Sequence, residues 1–147
     1  MLFRSSRNFS ELHNDVNLDR LSPVFEAIRR IKSSLPEETT FLGFCGAPWT
    51  VASYMIAGKG TPELAPSRLL AYRNPLYLKQ LIDRLVDASI AYLIKQAEAG
   101  VDAIQIFESF AGALTGLDIG KFSIDPIARI IKGVRRSEEH TSELQSH

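Results

Sequence analysis

Apolar residues recur along this chain with two different periods, and the points where one gives way to the other divide it into helices and strands. Ser22-Pro23 reads as a helix start, a capping serine followed by proline at the first helical position. Leu21, Val24, Phe25, Ile28 and Ile31 follow at helical spacing, and Pro36 ends that run. Thr40-Phe41-Leu42-Gly43-Phe44-Cys45 is a short apolar run bounded by turn formers, which predicts a buried strand. Gly46-Ala47-Pro48-Trp49-Thr50 turns the chain, Val51 to Ala57 predicts a helical turn or two, and Gly58-Lys59-Gly60-Thr61-Pro62 is a flexible loop.

Ser67 to Tyr72 predicts a short helix, stopped near Asn74-Pro75. The longest helix follows, from about Pro75 to Ala99. It carries Leu78, Leu81, Ile82, Leu85, Ser89, Tyr92 and Leu93 toward one side and ends at Gly100, a good C-cap residue. Val101-Asp102-Ala103-Ile104-Gln105-Ile106-Phe107 is a second strand. Helix, glycine, then apolar strand is the rhythm of a parallel α/β unit. Ala111 to Phe122 is loop or short helix, and Asp125-Pro126 caps a last helix reaching about Arg135. The fold class expected is α/β: an incomplete (β/α)8 barrel of the TIM type, helix-rich, with about two recognisable parallel strands. A full barrel takes roughly 250 residues, so two strands do not close one.

Composition narrows the function without naming it. The chain has 147 residues, 45% apolar and 23% charged, with formal net charge zero, so neither a disordered nor a fibrous structure is indicated. The basic residues are spread along the chain, which gives no electrostatic reason to expect a nucleic-acid or membrane-surface partner. Met1 to Arg7 lacks the apolar segment of a signal peptide, and no apolar run is long enough to span a bilayer. The expected location is cytoplasmic. Cys45 is the only cysteine, which excludes an internal disulfide framework; His13, His140 and His147 each stand alone in polar sequence, so no metal-ligand spacing exists.

The two ends read differently from the middle. Residues 1–20 form a polar, aperiodic N-terminal segment, and the domain proper is expected over 21–135. Residues 136–147, RSEEHTSELQSH, carry no apolar stripe and resemble the conceptual translation of a sequencing-library adapter. They are expected to be a non-native tail, and the genuine sequence to stop early.

Two blocks carry a family resemblance. Gly43-Phe44-Cys45-Gly46-Ala47-Pro48-Trp49-Thr50-Val51-Ala52-Ser53-Tyr54-Met55 resembles the signature of the uroporphyrinogen decarboxylase family. Ala99-Gly100-Val101-Asp102-Ala103-Ile104-Gln105-Ile106-Phe107-Glu108-Ser109 resembles a second block of that family. The resemblance covers about residues 21–135, and the two blocks stand in order, separated by the long helix. It implies a distorted (β/α)8 barrel, usually a homodimer. The reaction implied removes carbon dioxide from the four acetate side chains of uroporphyrinogen and gives coproporphyrinogen without a cofactor. A protonated pyrrole ring of the substrate serves as electron sink. The enzyme then has to orient a polyanionic ring and stabilise charge on it.

The resemblance also points to residues. Tyr54 matches a motif tyrosine that contacts substrate, and its phenol suits donation to a carboxylate while the ring packs on the macrocycle. Ser109 stands at the C-terminal end of a predicted parallel strand, where barrel active sites are built, and matches a position that hydrogen-bonds a substrate carboxylate. Phe44 matches a phenylalanine lining the cleft. Read without the resemblance, Tyr54 is a helix-packed tyrosine, Ser109 a turn serine and Phe44 a core aromatic. Trp49 and Pro48 are expected to shape the strand-to-helix turn, Glu108 to be structural, and Lys59 and Arg68 to be solvated. Cys45 is expected to be a small buried residue, since no histidine base follows nearby.

Three family segments have no match here: the N-terminal arginine pair that binds substrate carboxylates, the aspartate that holds the pyrrole nitrogens, and the C-terminal histidine. No catalytic residue is therefore assigned, and this chain alone is expected to be inactive. Two other readings predict different behaviour. A fragment of a related corrinoid methyltransferase would carry its zinc ligands in absent sequence. A non-enzymatic helical interaction module would melt cooperatively as residues 1–135 alone.

Overall fold

The computed structural model describes residues 16–145; most of the polar N-terminal segment expected over 1–20 lies outside them. Helix α1 spans Ser22–Ser34, strand β1 Leu42–Gly46, and helix α2 Pro48–Ala57. Helices α3 (Ala65–Arg73) and α4 (Pro75–Glu98) follow, then strand β2 (Ala103–Phe107). After short turns at Ala111–Ala113 and Leu117–Ile119, a π-helical turn over Gly120–Ile124 feeds the last helix, α5, Asp125–Gln145. Proline opens α1, α2 and α4, where its missing N–H costs nothing, and the Asn74 side chain accepts from the Tyr77 amide to cap α4. Helix α5 runs past Arg135, where the sequence pattern had it stop. The residues beyond contain glutamates, leucine and glutamine with no proline or glycine, so backbone propensity does not oppose continuation.

The two strands pair in parallel, with Leu42 opposite Ala103 and Gly46 opposite Phe107. Side chains alternate across the sheet. Gly43 and Cys45 of β1 are buried and Ile104 and Ile106 of β2 half-buried, on the face covered by helices. Leu42, Phe44, Ala103, Gln105 and Phe107 are exposed on the other. The apolar core lies between the covered face and the helices. Trp49, Leu78, Leu81, Ile82, Val86, Leu93, Phe122 and Ile130 are essentially free of solvent there. Helix α4 packs against β1, α2 and α5, which makes it the hub of the unit.

Backbone pairing past the strand ends fixes which groups face where. Asp102 N–H donates to the Phe41 carbonyl and Ala47 N–H to the Phe107 carbonyl. By alternation, the N–H and C=O of Phe44 point to the edge of β1 that β2 does not cover. The buried Gln96 side chain of α4 meets both: Oε1 accepts from Phe44 N–H at 3.0 Å, and Nε2 donates to Phe44 C=O at 3.0 Å. This side chain serves in place of a neighbouring strand. It reaches the backbone only because residue 43 is glycine. A Cβ there would stand 2.7 Å from Gln96 Oε1 and 2.9 Å from a Val101 methyl.

Asp102 joins the strand starts to α1. Its carboxylate accepts from Lys32 Nζ at 2.6 and 2.7 Å and from Phe41 N–H at 2.8 Å. The hydrogen bond from Lys32, then that from Phe41, holds its carboxyl below the ordinary aspartate value. The folded-state pKa is thus the lower one, so this stabilisation is complete above the unfolded value near ~3.9 and is lost as pH falls through the folded value.

Two outcomes follow for a full-length protein carrying this segment. Gly43→Ala displaces Gln96 from the Phe44 backbone and lowers stability by about 1–3 kcal/mol, read as a shift of the urea midpoint. Asp102→Asn flattens the fall of stability at acid pH, measured as unfolding midpoints across pH 2 to 5; an unchanged acid limb removes Asp102 from that account.

Candidate active-site wall at the strand ends

Both βα turns leave the sheet at its C-terminal end. Ala47 is extended, and α2 begins at Pro48 directly after β1, so Thr50 and Tyr54 project from one face of α2, one turn apart. The helix stops at Gly58, which has φ 72° and donates its N–H to the Tyr54 carbonyl at 2.7 Å. The following loop returns past the tyrosine: a Cβ on Gly60 would lie 3.8 Å from Tyr54 Cε1. Lys59, exposed, sits between these glycines and has no ion-pair partner among the described residues.

The turn after β2 is tied to the first turn of α2. Thr50 Oγ1 donates to Glu108 Oε1 at 2.5 Å and accepts from the Ser109 N–H at 3.0 Å. Phe110 N–H donates to the same Glu108 oxygen at 3.1 Å, and the Ser123 hydroxyl to the other at 3.3 Å. Trp49 Nε1 closes the set by donating to the Phe110 carbonyl at 3.0 Å. Buried Trp49 in turn stacks on buried Phe122 at 6.4 Å between ring centroids.

These ties bring Tyr54 and Ser109 to one end of the molecule. The Tyr54 ring tilts against that of Phe110, the residue next to Ser109, with centroids 5.4 Å apart. Both side chains are exposed, and neither hydroxyl has a hydrogen-bond partner among the described residues. Phe44 lies on the open sheet face, 60% exposed, with its ring edge-on to Phe107 at 5.8 Å. An exposed phenylalanine pair is unusual for a surface and gives the strand ends an apolar floor.

The other sequence candidates fall outside this cluster or are used within the fold. Glu108 spends its carboxylate on Thr50, Phe110 and Ser123. Pro48 and Trp49 are buried. Arg68 is exposed on α3. Cys45 is buried on the helix-covered face, where burial pushes its thiol pKa up and a hydrogen bond with Ser89 only partly opposes the rise. Sequence reasoning did not pick out Phe107 and Phe110. A signal for Phe107 was present: it ends the strand on the same face as Ala103 and Gln105, two residues before Ser109. Phe110 and the Thr50–Glu108 link carry no such signal, because they depend on how two distant turns meet.

The parallel strand pair and the helices that cover one of its faces define a (β/α) barrel-type unit. The chain matches the family described as uroporphyrinogen decarboxylase (URO-D) over residues 2–143, and it belongs to that family. It is 54% identical over 124 residues to the uroporphyrinogen decarboxylase of Sinorhizobium fredii, covering 84% of this chain and 36% of that protein. The enzyme of Mesorhizobium japonicum is 52% identical over 124 residues, with the same shares covered. That of Agrobacterium fabrum is 55% identical over 115 residues, covering 78% of this chain and 33% of the relative. The chain thus spans about a third of the length of the curated relatives it matches. Among the described residues no helix is long and apolar enough to cross a membrane.

Alkylation provides a check on the site's layout. Cys45 reacts with iodoacetamide only as the fold opens, so its labelling rate follows unfolding in urea; rapid labelling under native conditions contradicts its placement.

Proposed function

We propose that this chain supplies one wall of the substrate cleft of a uroporphyrinogen decarboxylase. The whole protein converts the four acetate side chains of uroporphyrinogen to methyl groups, giving coproporphyrinogen, and works as a cytoplasmic homodimer. The functional unit within this chain is residues 21–135, with the remaining C-terminal residues foreign to it. The observation that carries the reading is the pair of unengaged hydroxyls, Tyr54 and Ser109, brought together through Phe110 in the segments that follow the two strands, with the exposed Phe44–Phe107 pair on the open sheet face.

That arrangement suits a flexible ring of four pyrroles, joined by saturated methylene bridges and edged with carboxylates. The phenylalanine rings present apolar faces to the ring system, and the two hydroxyls donate to carboxylate oxygens. Loss of carbon dioxide leaves an electron pair on the side-chain carbon. The adjoining pyrrole, protonated, accepts that pair. A proton then added to the side-chain carbon, with the ring's extra proton released, gives the methyl group. The reaction therefore needs an oriented ring and no external electron sink. Anchoring carboxylates of the substrate in the cleft is the part these hydroxyls perform. The charge that stabilises the cation comes from segments outside this chain.

The test is a chimera in which residues 21–135 replace the aligned stretch of the Sinorhizobium fredii enzyme. The chimera turns uroporphyrinogen over to coproporphyrinogen, while the 147-residue chain alone does not. Tyr54→Phe and Ser109→Ala in the chimera each lower kcat/KM by roughly ten- to a hundredfold, the loss of one hydrogen bond to a charged group. A folded chimera without turnover, or full activity in both variants, sinks the reading.

A further inference from the structure

We infer that Glu108 is a positioning residue for the cleft hydroxyls, acting through Thr50 and the backbone of the turn after β2. This rests on the role proposed above for Ser109 and Tyr54. A threonine hydroxyl has one proton and two lone pairs. With Glu108 Oε1 2.5 Å away, the Thr50 proton is committed to the carboxylate. A lone pair is then left to receive the Ser109 N–H at 3.0 Å. Without the carboxylate, that hydroxyl is free to rotate and to donate elsewhere, and the Ser109 amide loses a defined acceptor.

The same carboxylate acts on the next peptide. Phe110 N–H donates to Glu108 Oε1, and the Phe110 carbonyl is held by Trp49 Nε1. The backbone is therefore pinned on both sides of the Ser109 Cα, which sets the direction of its Cβ and hydroxyl. Phe110, fixed by these bonds, carries its ring against Tyr54 at 5.4 Å. Thr50 itself lies one turn before Tyr54 on α2. One carboxylate thus orients both hydroxyls without touching the substrate.

The experiment uses the full-length chimera. Glu108→Ala raises KM for uroporphyrinogen about tenfold, with kcat changed far less, as expected when a substrate hydrogen bond is misaimed. Glu108→Gln restores most of that loss, because its amide oxygen accepts from Thr50 and Phe110 and its nitrogen donates to the Ser123 hydroxyl. In a background lacking both hydroxyls, Ser109→Ala with Tyr54→Phe, Glu108→Ala costs less than about a further twofold, since its effect runs through hydroxyls already removed. If Glu108→Ala does not fold, Thr50→Val, which keeps the shape and removes the relay, takes its place and behaves the same way. Glu108→Gln as damaging as Glu108→Ala, or a Glu108→Ala loss undiminished in the background that lacks both hydroxyls, overturns the inference. An unmutated chimera without turnover instead overturns the functional reading beneath it.

Discussion

The hydroxyl of Thr50 is the point at which the two halves of this unit meet beyond the C-terminal ends of the strands. It belongs to the helix after β1, yet both its partners, Glu108 and the Ser109 amide, belong to the turn after β2. Parallel strands bring their C-terminal ends side by side, but pairing within the sheet ends at Gly46 and Phe107. What happens beyond depends on side chains. Trp49, Thr50 and Glu108 continue the connection where the ladder stops, and the exposed Tyr54 and Ser109 are carried on the result. Buried partners, Phe122 stacked on Trp49 and Ser123 bonded to Glu108, fasten that connection to the core.

The sheet presents two kinds of unfinished surface, and the chain treats them differently. At the edge of β1, Gln96 spends a buried side-chain amide to satisfy Phe44, an arrangement possible only with glycine at 43. The edge of β2 borders an open groove of about 430 Å³ lined by Ile104, Ile106, Ile130, Ile131 and Val134. An apolar channel beside an unpaired strand is the shape into which a further parallel strand fits. The open sheet face, with Leu42, Phe44 and Phe107 more than half exposed, has the same character: in a closed barrel it faces inward. The chain spans about a third of the length of the relatives it matches.

Much of this was legible in the sequence, for reasons that can be named. The 3.6-residue stripe through Leu78, Leu81, Ile82 and Leu93 gave the long helix, since a core-facing helix has to repeat that way. Both strands were visible as apolar runs after turn formers. Their boundaries shifted by a residue or two, to Leu42–Gly46 and Ala103–Phe107, because pairing rather than hydrophobicity sets where a strand begins. The end of α5 was not legible, because an apolar stripe reports packing and the helical backbone continues without it. Tyr54, Ser109 and Phe44 were singled out by resemblance, not by pattern; on spacing alone each reads as an ordinary packed or turn residue. The Glu108 network was invisible because its members are about sixty positions apart in sequence and only the fold unites them.

The wall also shows how the chemistry divides between this segment and the rest of the protein. Among the described residues its exposed groups include two hydroxyls, aromatic rings and Lys59 on a glycine-flanked loop. Glu108, the acid nearest the wall, has both oxygens engaged within the fold. Neutral donors on a pinned backbone fix geometry; they do little to neutralise a substrate with many carboxylates or to stabilise a cationic ring. In the proposed reaction, orientation and electrostatics therefore reside on different stretches of chain. The segment described here contributes the rigid part, where misalignment rather than lost charge is the way to failure. A carboxylate anchor is shared by bound substrate and transition state alike, so on the proposed reading altering Glu108 is felt in substrate affinity more than in the chemical step.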